Sequence, residues 1–167
     1  PFCVLERVDG VSLRDRLDEL AEQEAAEGKP RRRERLELLS NLVAIAEALA
    51  YAHERRVVHR DCTPNNIILG KRGEATLIDW GIARELDDEH EDPTTLAAAD
   101  TGVGLTRLGV AQGTPGFLAP EQARGEVVDA RADVYSLGAT LFYILANKLP
   151  YGRISATEAV EAAAAGK

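Results

Sequence analysis

Residues 59 to 66 read His-Arg-Asp-Cys-Thr-Pro-Asn-Asn, and a second aspartate, Asp79, stands eighteen positions after Asp61. The flanking residues limit how this stretch can fold. Val57-Val58 and Ile67-Ile68-Leu69 are short β-prone runs that bracket the octapeptide as two very short strands. Gly70-Lys71-Arg72-Gly73 makes a tight turn into Ala75-Thr76-Leu77-Ile78, which delivers Asp79. The pattern predicts a small hairpin presenting Asp61, Asn66 and Asp79 at one edge.

Two carboxylates and one amide at that spacing suit magnesium-assisted phosphoryl transfer. One carboxylate orients and deprotonates an attacking hydroxyl, while the amide and the second carboxylate hold metal ions against a triphosphate. Taken singly, each residue has a plainer reading. Asp61 also fits a structural acid paired with Lys71 or an arginine, and Asn66 and Asp79 also fit turn caps. The combination is more specific because further motifs follow in order. Gly113-Thr114-Pro115-Gly116-Phe117-Leu118-Ala119-Pro120-Glu121 and Asp133-Val134-Tyr135-Ser136-Leu137-Gly138 lie downstream.

Together these segments resemble a bacterial, eukaryotic-like Ser/Thr protein kinase. The first pair is similar to the catalytic loop and the metal-binding D-F-G motif, with Trp80 in place of Phe. Gly113–Glu121 resembles the G-T-x-x-Y/F-x-A-P-E stretch that closes the activation segment. Asp133–Gly138 resembles the D-x-W-S-x-G that opens the large helix behind it. The resemblance implies an α+β fold, a mostly helical C-lobe with a small β-hairpin and without the N-lobe sheet. Residues 1–10 would be the last N-lobe strand and hinge, and residues 11–167 a C-lobe cut before its final helices. The Gly-rich loop, the β3 lysine and its αC glutamate would lie outside the chain, so ATP·Mg binding by this stretch alone is expected to be weak.

The resemblance also implies roles for individual residues. Asp61 is the expected base, with Asn66 and Asp79 as magnesium ligands and ATP as the phosphoryl donor. Leu5 matches the gatekeeper, the backbone of Glu6 to Val8 would meet adenine, and Ile68 would floor the adenine pocket. Thr114 matches the threonine that hydrogen-bonds the catalytic aspartate in kinases acting on serine and threonine. Asp133 is expected to hold the catalytic-loop backbone from below, with His59 packing against Trp80 beside Gly81. Glu121 is expected to be a buried charge without its usual arginine. Arg60 and Arg84 match positions that converge on a phosphorylated activation-loop threonine, with Thr106 the first candidate and Thr101 the second. The alternative is two solvated arginines and a passive loop. Thr63 departs from the pattern, which carries a lysine there, and so removes a cation from where charge develops.

Elsewhere, Phe2 to Val8 reads as a strand ending at the Asp9-Gly10 turn. Ser12 caps a helix running through Leu13, Leu17 and Leu20, broken at Gly28-Lys29-Pro30. Leu36, Leu39, Val43, Ala46, Leu49, Ala50 and His53 recur at helical steps and predict one long amphipathic helix. Ile82 to Gln112 reads as a mobile loop without periodicity. Ala132 to Asn147 is apolar nearly all round, predicting a fully buried helix ended by Pro150. Ser155 caps a final alanine-rich helix.

The net charge of −8 excludes a general nucleic-acid surface. The short basic run from Lys29 to Arg33 reads as a solvated loop. Cys3 and Cys62 lie far apart, as free thiols of a reducing cytoplasm would. The longest apolar stretch, Leu137 to Ala146, is too short for a bilayer, which takes about 20 residues. A membrane anchor elsewhere in the full protein stays open. The chain starts at Pro1 and has no methionine, which reads as a fragment. Expected partners are ATP and proteins bearing Ser or Thr. Two other functions stay open: a pseudokinase scaffold, and a small-molecule phosphotransferase of the aminoglycoside-kinase type, which would lack the Gly113–Glu121 segment and the Asp133 motif.

Overall fold

The computed structural model describes residues 7–86, 113–152 and 154–166. Within them the chain is mostly helical around a small antiparallel sheet, as the sequence predicts. Strand β1 (Val11–Ser12) leads directly into helix α1 (Leu13–Glu27). The Ser12 hydroxyl accepts the Asp15 N–H at 3.0 Å, and Gly28 closes the helix in the left-handed region, φ 65°. Leu13, Leu17 and Leu20 fall on one face and are fully buried. The strand expected over Phe2–Val8 is not found where it is described. Residues 1–6 lie outside the described residues, residues 7–9 are not in a strand, and the pairing segment is Val11–Ser12 instead.

The single helix expected from Leu36 onward is two. Helix α2 (Arg32–Glu37) and helix α3 (Leu39–Glu54) meet at a turn on Leu38. The buried stripe is Leu38, Leu42, Ile45, Leu49 and Ala52, whereas Leu36 and Val43 are 55% and 58% exposed. Both stripes obey three- and four-residue spacing, because this helix is apolar over much of its circumference. Periodicity sets the repeat; packing against the rest of the core selects the phase. The basic run is not a plain solvated loop either. Arg31 is half-buried at the start of α2, where it pairs with Glu27 and Glu34. Arg35, only 4% exposed, makes a two-pronged ion pair with Glu24 of α1 and donates to the Ile144 carbonyl.

Strand β2 (Val57–Val58) follows α3, then the 59–66 loop, then the hairpin of β3 (Ile67–Leu69) and β4 (Ala75–Leu77). The three-stranded sheet runs β1-β3-β4 with Ile67 opposite Leu77 and Leu69 opposite Ala75. The start of the expected loop is ordered. Strand β5 (Arg84–Glu85) pairs with β2, Val58 opposite Arg84. Residues 87–112 of that loop lie outside the described residues.

Helix α4 (Pro120–Ala123) precedes α5 (Ala130–Ala146) and α6 (Ala156–Ala164). Ser155 and Glu158 form a reciprocal capping box at the start of α6. Helix α5 is not buried all round: Val134, Leu141, Phe142 and Leu145 are exposed. It ends on Asn147 in the left-handed region, φ 52°, ahead of Pro150. Its buried face carries Asp133, Ser136 and Thr140 alongside Ala132, Ala139, Tyr143 and Ile144. The Ser136 hydroxyl donates to the Phe117 carbonyl at 2.8 Å and Thr140 to the Cys62 carbonyl at 3.3 Å. Loops brought into an interior need partners for their backbone groups. Asp133, Ser136 and Thr140 therefore face inward beside Tyr143 and Ile144, while Val134, Leu141, Phe142 and Leu145 face outward.

Candidate active site

The 59–66 loop sits between β2 and β3, on top of the first turn of α5. Asp133 is fully buried there. Its Oδ2 accepts the His59 backbone N–H at 2.9 Å and its Oδ1 accepts that of Arg60 at 2.7 Å. Oδ2 also meets His53 Nε2 at 2.7 Å. His53 enters the sequence reading only as one residue of the helical stripe. No local signal marks it, because its partner lies eighty residues away.

His59 is buried, with its ring edge-on to Trp80 at 4.6 Å between centroids. Its Nε2 lies 3.1 Å from the Ile78 carbonyl, which only accepts, so Nε2 carries the proton. Nδ1 is then free to accept the Asp61 N–H at 3.2 Å. Trp80 donates its own Nε1–H to the Leu77 carbonyl and remains partly exposed.

Asp61 has two carboxylate partners on different elements. Oδ1 accepts the Thr114 backbone N–H at 2.9 Å, and Oδ2 accepts Asn66 Nδ2 at 2.8 Å. These bonds, not one to Lys71, hold the carboxylate. The bond from Thr114 is made by its backbone, so it does not depend on the hydroxyl. Gly113 permits the close approach: with φ 124°, an added Cβ would lie 2.6 Å from Leu118 Cδ2 and 3.3 Å from the Arg60 carbonyl oxygen.

Asn66 also donates Nδ2 to the Asp61 carbonyl, at 3.0 Å. With its NH2 turned to Asp61, the amide keeps Oδ1 as its acceptor. The Ile78 N–H donates to the Asn66 carbonyl at 2.8 Å, tying the segment that carries Asp79 to the loop. Asp79 adopts φ 62° and is exposed, and its Oδ1 accepts the Gly81 N–H at 3.3 Å. A Cβ at Gly81 would stand 3.0 Å from that oxygen.

The remaining expected site residues are more dispersed. Ile68 is half-buried in β3, and Val8 is exposed nearby in the chain that leads to β1. Leu5, Glu6, Thr101 and Thr106 lie outside the described residues. The β2–β5 pairing sets Arg84 opposite Val58, two positions before Arg60. Glu121 is half-buried rather than a buried lone charge, and it lies within electrostatic reach of Arg124 and Arg131. Thr63 is 1% exposed, and its hydroxyl has no hydrogen-bond partner among the described residues. Cys62 is buried and free. Burial, reinforced by the charges of Asp133 and Asp61, pushes its thiol up to about 12. One residue that the sequence reading missed also touches this loop: the buried Gln122 side chain donates to the Arg60 carbonyl at 2.7 Å.

The protein kinase domain family matches residues 2–166. A serine/threonine-protein kinase PknB of Mycolicibacterium smegmatis is 38% identical over 151 residues, 90% of this chain and 21% of that protein. A serine/threonine-protein kinase PknD of Protochlamydia amoebophila is 37% identical over 121 residues, 71% of this chain and 12% of that protein. A probable serine/threonine-protein kinase, SCO3848 of Streptomyces coelicolor, is 36% identical over 151 residues, 90% of this chain and 19% of that protein. The chain thus spans about a fifth or less of the length of these relatives. With its family match running over almost every residue, this chain belongs to the protein kinase domain family.

Proposed function

We propose that this chain forms the catalytic lobe of a protein kinase that transfers the γ-phosphate of ATP to serine or threonine side chains of other proteins. In this reading residues 1–10 are the last N-lobe strand and hinge, and the rest is the C-lobe. The observation that carries it is the Asp61 carboxylate, held by Thr114 N–H on one oxygen and by Asn66 on the other. A carboxylate fixed this way retains lone pairs for the proton of a substrate hydroxyl.

Asn66 Oδ1 and the exposed Asp79 carboxylate are hard oxygen donors, a set that fits magnesium. Two protein ligands suffice because that ion keeps waters and phosphate oxygens in its shell. When bound, magnesium would neutralise charge on the transferring phosphate. The protein's own part is to orient the hydroxyl, accept its proton at Asp61 and hold Asn66 against that base. Val8 and Ile68, with Leu5 and Glu6, are assigned to the adenine side. Arg60 and Arg84 are assigned to a phosphorylated threonine, Thr106 or Thr101, a reading supported by the β2–β5 pairing. No helix among the described residues is long and apolar enough to cross a membrane. The kinase domain is assigned to the cytoplasm, where ATP is available.

Transfer of labelled phosphate from ATP by the full-length protein, with Asp61→Asn as control, tests this function. Equal labelling by both proteins, or none by either, rejects it. One observation favours a second reading, a pseudokinase scaffold: the buried Thr63 brings no cation to the position where the family carries lysine. Nucleotide binding without any transfer would support that alternative.

A further inference from the structure

We propose that Gln122 is a positioning residue for Asp61, acting through the backbone of Arg60; this rests on the reading of Asp61 as the base. Arg60 has φ 73°, in the left-handed region that a non-glycine residue keeps only when its surroundings over-determine it. Two side chains from distant elements do so here. Asp133 of α5 accepts the Arg60 N–H at 2.7 Å, and Gln122 of α4 donates Nε2 to the Arg60 carbonyl at 2.7 Å.

That carbonyl belongs to the peptide joining Arg60 to Asp61. Its other end, the Asp61 N–H, is held by His59 Nδ1 at 3.2 Å. Rotation of this one peptide plane would swing the Asp61 carboxylate off Thr114 N–H and Asn66 Nδ2. Gln122 is therefore the side chain that fixes the carbonyl face of the plane. Its own orientation is set as well: it is 3% exposed, and its Oε1 accepts the Ala119 N–H at 3.2 Å. A flipped amide would oppose oxygen to oxygen and nitrogen to N–H, so only one rotamer serves both bonds.

The chemical requirement is specific. The side chain must accept from Ala119 and donate to Arg60 at once, and it sits in the same segment as Gly113 and Thr114. The end of the activation segment thus grips the base twice, once at its carboxylate and once at the peptide that carries it. Displacement of α4 would release the second of these grips.

The test uses the full-length kinase with ATP, magnesium and a protein substrate. Gln122→Ala should lower kcat by about 10- to 100-fold while leaving the KM for ATP almost unchanged. Gln122→Glu supplies a signature that a packing role would not. Its carboxylate cannot donate to the Arg60 carbonyl at about pH 8, but a buried acid takes up a proton as the pH falls towards 6 and regains the donor. The ratio of Gln122→Glu to wild-type kcat should then rise several-fold across that range. A flat ratio, or an unchanged kcat in Gln122→Ala, overturns the proposal. Should wild type transfer no phosphate, the proposed function fails first, and amide hydrogen exchange at Asp61 and Thr63 decides this point. Faster exchange there in Gln122→Ala supports the clamp, and unchanged exchange overturns it.

Discussion

The imidazole Nε2 of His53 lies 2.7 Å from the Asp133 carboxylate, joining the last turn of α3 to the first turn of α5 across eighty residues of chain. The same carboxylate holds two consecutive N–H groups of the loop. One buried acid thereby sets the height and tilt of the 59–66 segment relative to two helices.

Removing that acid should be expensive. In Asp133→Ala the His59 and Arg60 N–H groups lose their partner in the interior, at about 1–3 kcal/mol for each unsatisfied donor. The expected total is on the order of 3–5 kcal/mol, counting the stranded imidazole. Urea unfolding of wild type and variant measures it. A loss under about 1 kcal/mol would mean that the loop finds other partners.

The Glu24–Arg35 pair predicts a pH dependence. The hydrogen bond from Arg35 is the main cause holding the Glu24 carboxyl below its ordinary value of 4.5. A lowered folded-state value stabilises the fold above the unfolded pKa, and that contribution is lost as the pH falls through the folded one. Glu24→Gln should therefore be less stable than wild type at neutral pH, with the gap constant down to about pH 5 and closing below it. Arg35 is buried but Glu24 is only half-buried, so the gap at neutral pH is expected to be about 1–2 kcal/mol. Unfolding midpoints for both proteins across that range give the answer, and a gap that widens in acid contradicts the assignment.

Cys62 should be chemically silent in the folded protein. Its thiol is buried and pushed up to about 12, so thiolate, the reactive form, is scarce near neutral pH. Alkylation followed by peptide mass spectrometry should find Cys62 unmodified natively and fully modified in denaturant. Rapid native labelling at this position would show the loop opening to solvent.

Gly113→Ala should disturb the site while leaving distant elements intact. The added methyl meets Leu118 Cδ2 at 2.6 Å in a backbone conformation, φ 124°, that alanine resists. A stability loss of about 1–3 kcal/mol is expected, together with lower phosphoryl transfer as Thr114 N–H is drawn off Asp61. Thermal unfolding and a transfer assay on the same preparation should change together. Unchanged transfer would separate the Thr114 contact from the chemistry.

Features that depend on a few neighbouring residues were readable before any coordinates. Ser12 and Ser155 cap helices, Gly28 ends one, and the Gly70–Gly73 turn joins β3 to β4, because caps and tight turns are satisfied within a handful of positions. The ordered motifs likewise carried the family resemblance. Which face of a helix turns inward was another matter. Of the stripe expected on α3, Leu49 is buried and Leu39 packs on the core, whereas Val43 and Ala50 are exposed, and α5 buries Asp133, Ser136 and Thr140 while exposing Phe142 and Leu145. Strand β5 went unseen because two residues carry no periodicity, and only β2 reveals it.

What the sequence by itself determined, then, is the set of local elements and the chemistry available on the loop from His59 to Asn66. Tertiary structure alone decided how that loop is held. Its backbone donors and acceptors find partners on Asp133, Gln122 and Thr140, and Asp133 is itself met by His53. A buried peptide group must be paired, but chain position does not say by whom, since each partner is selected by packing across many tens of residues.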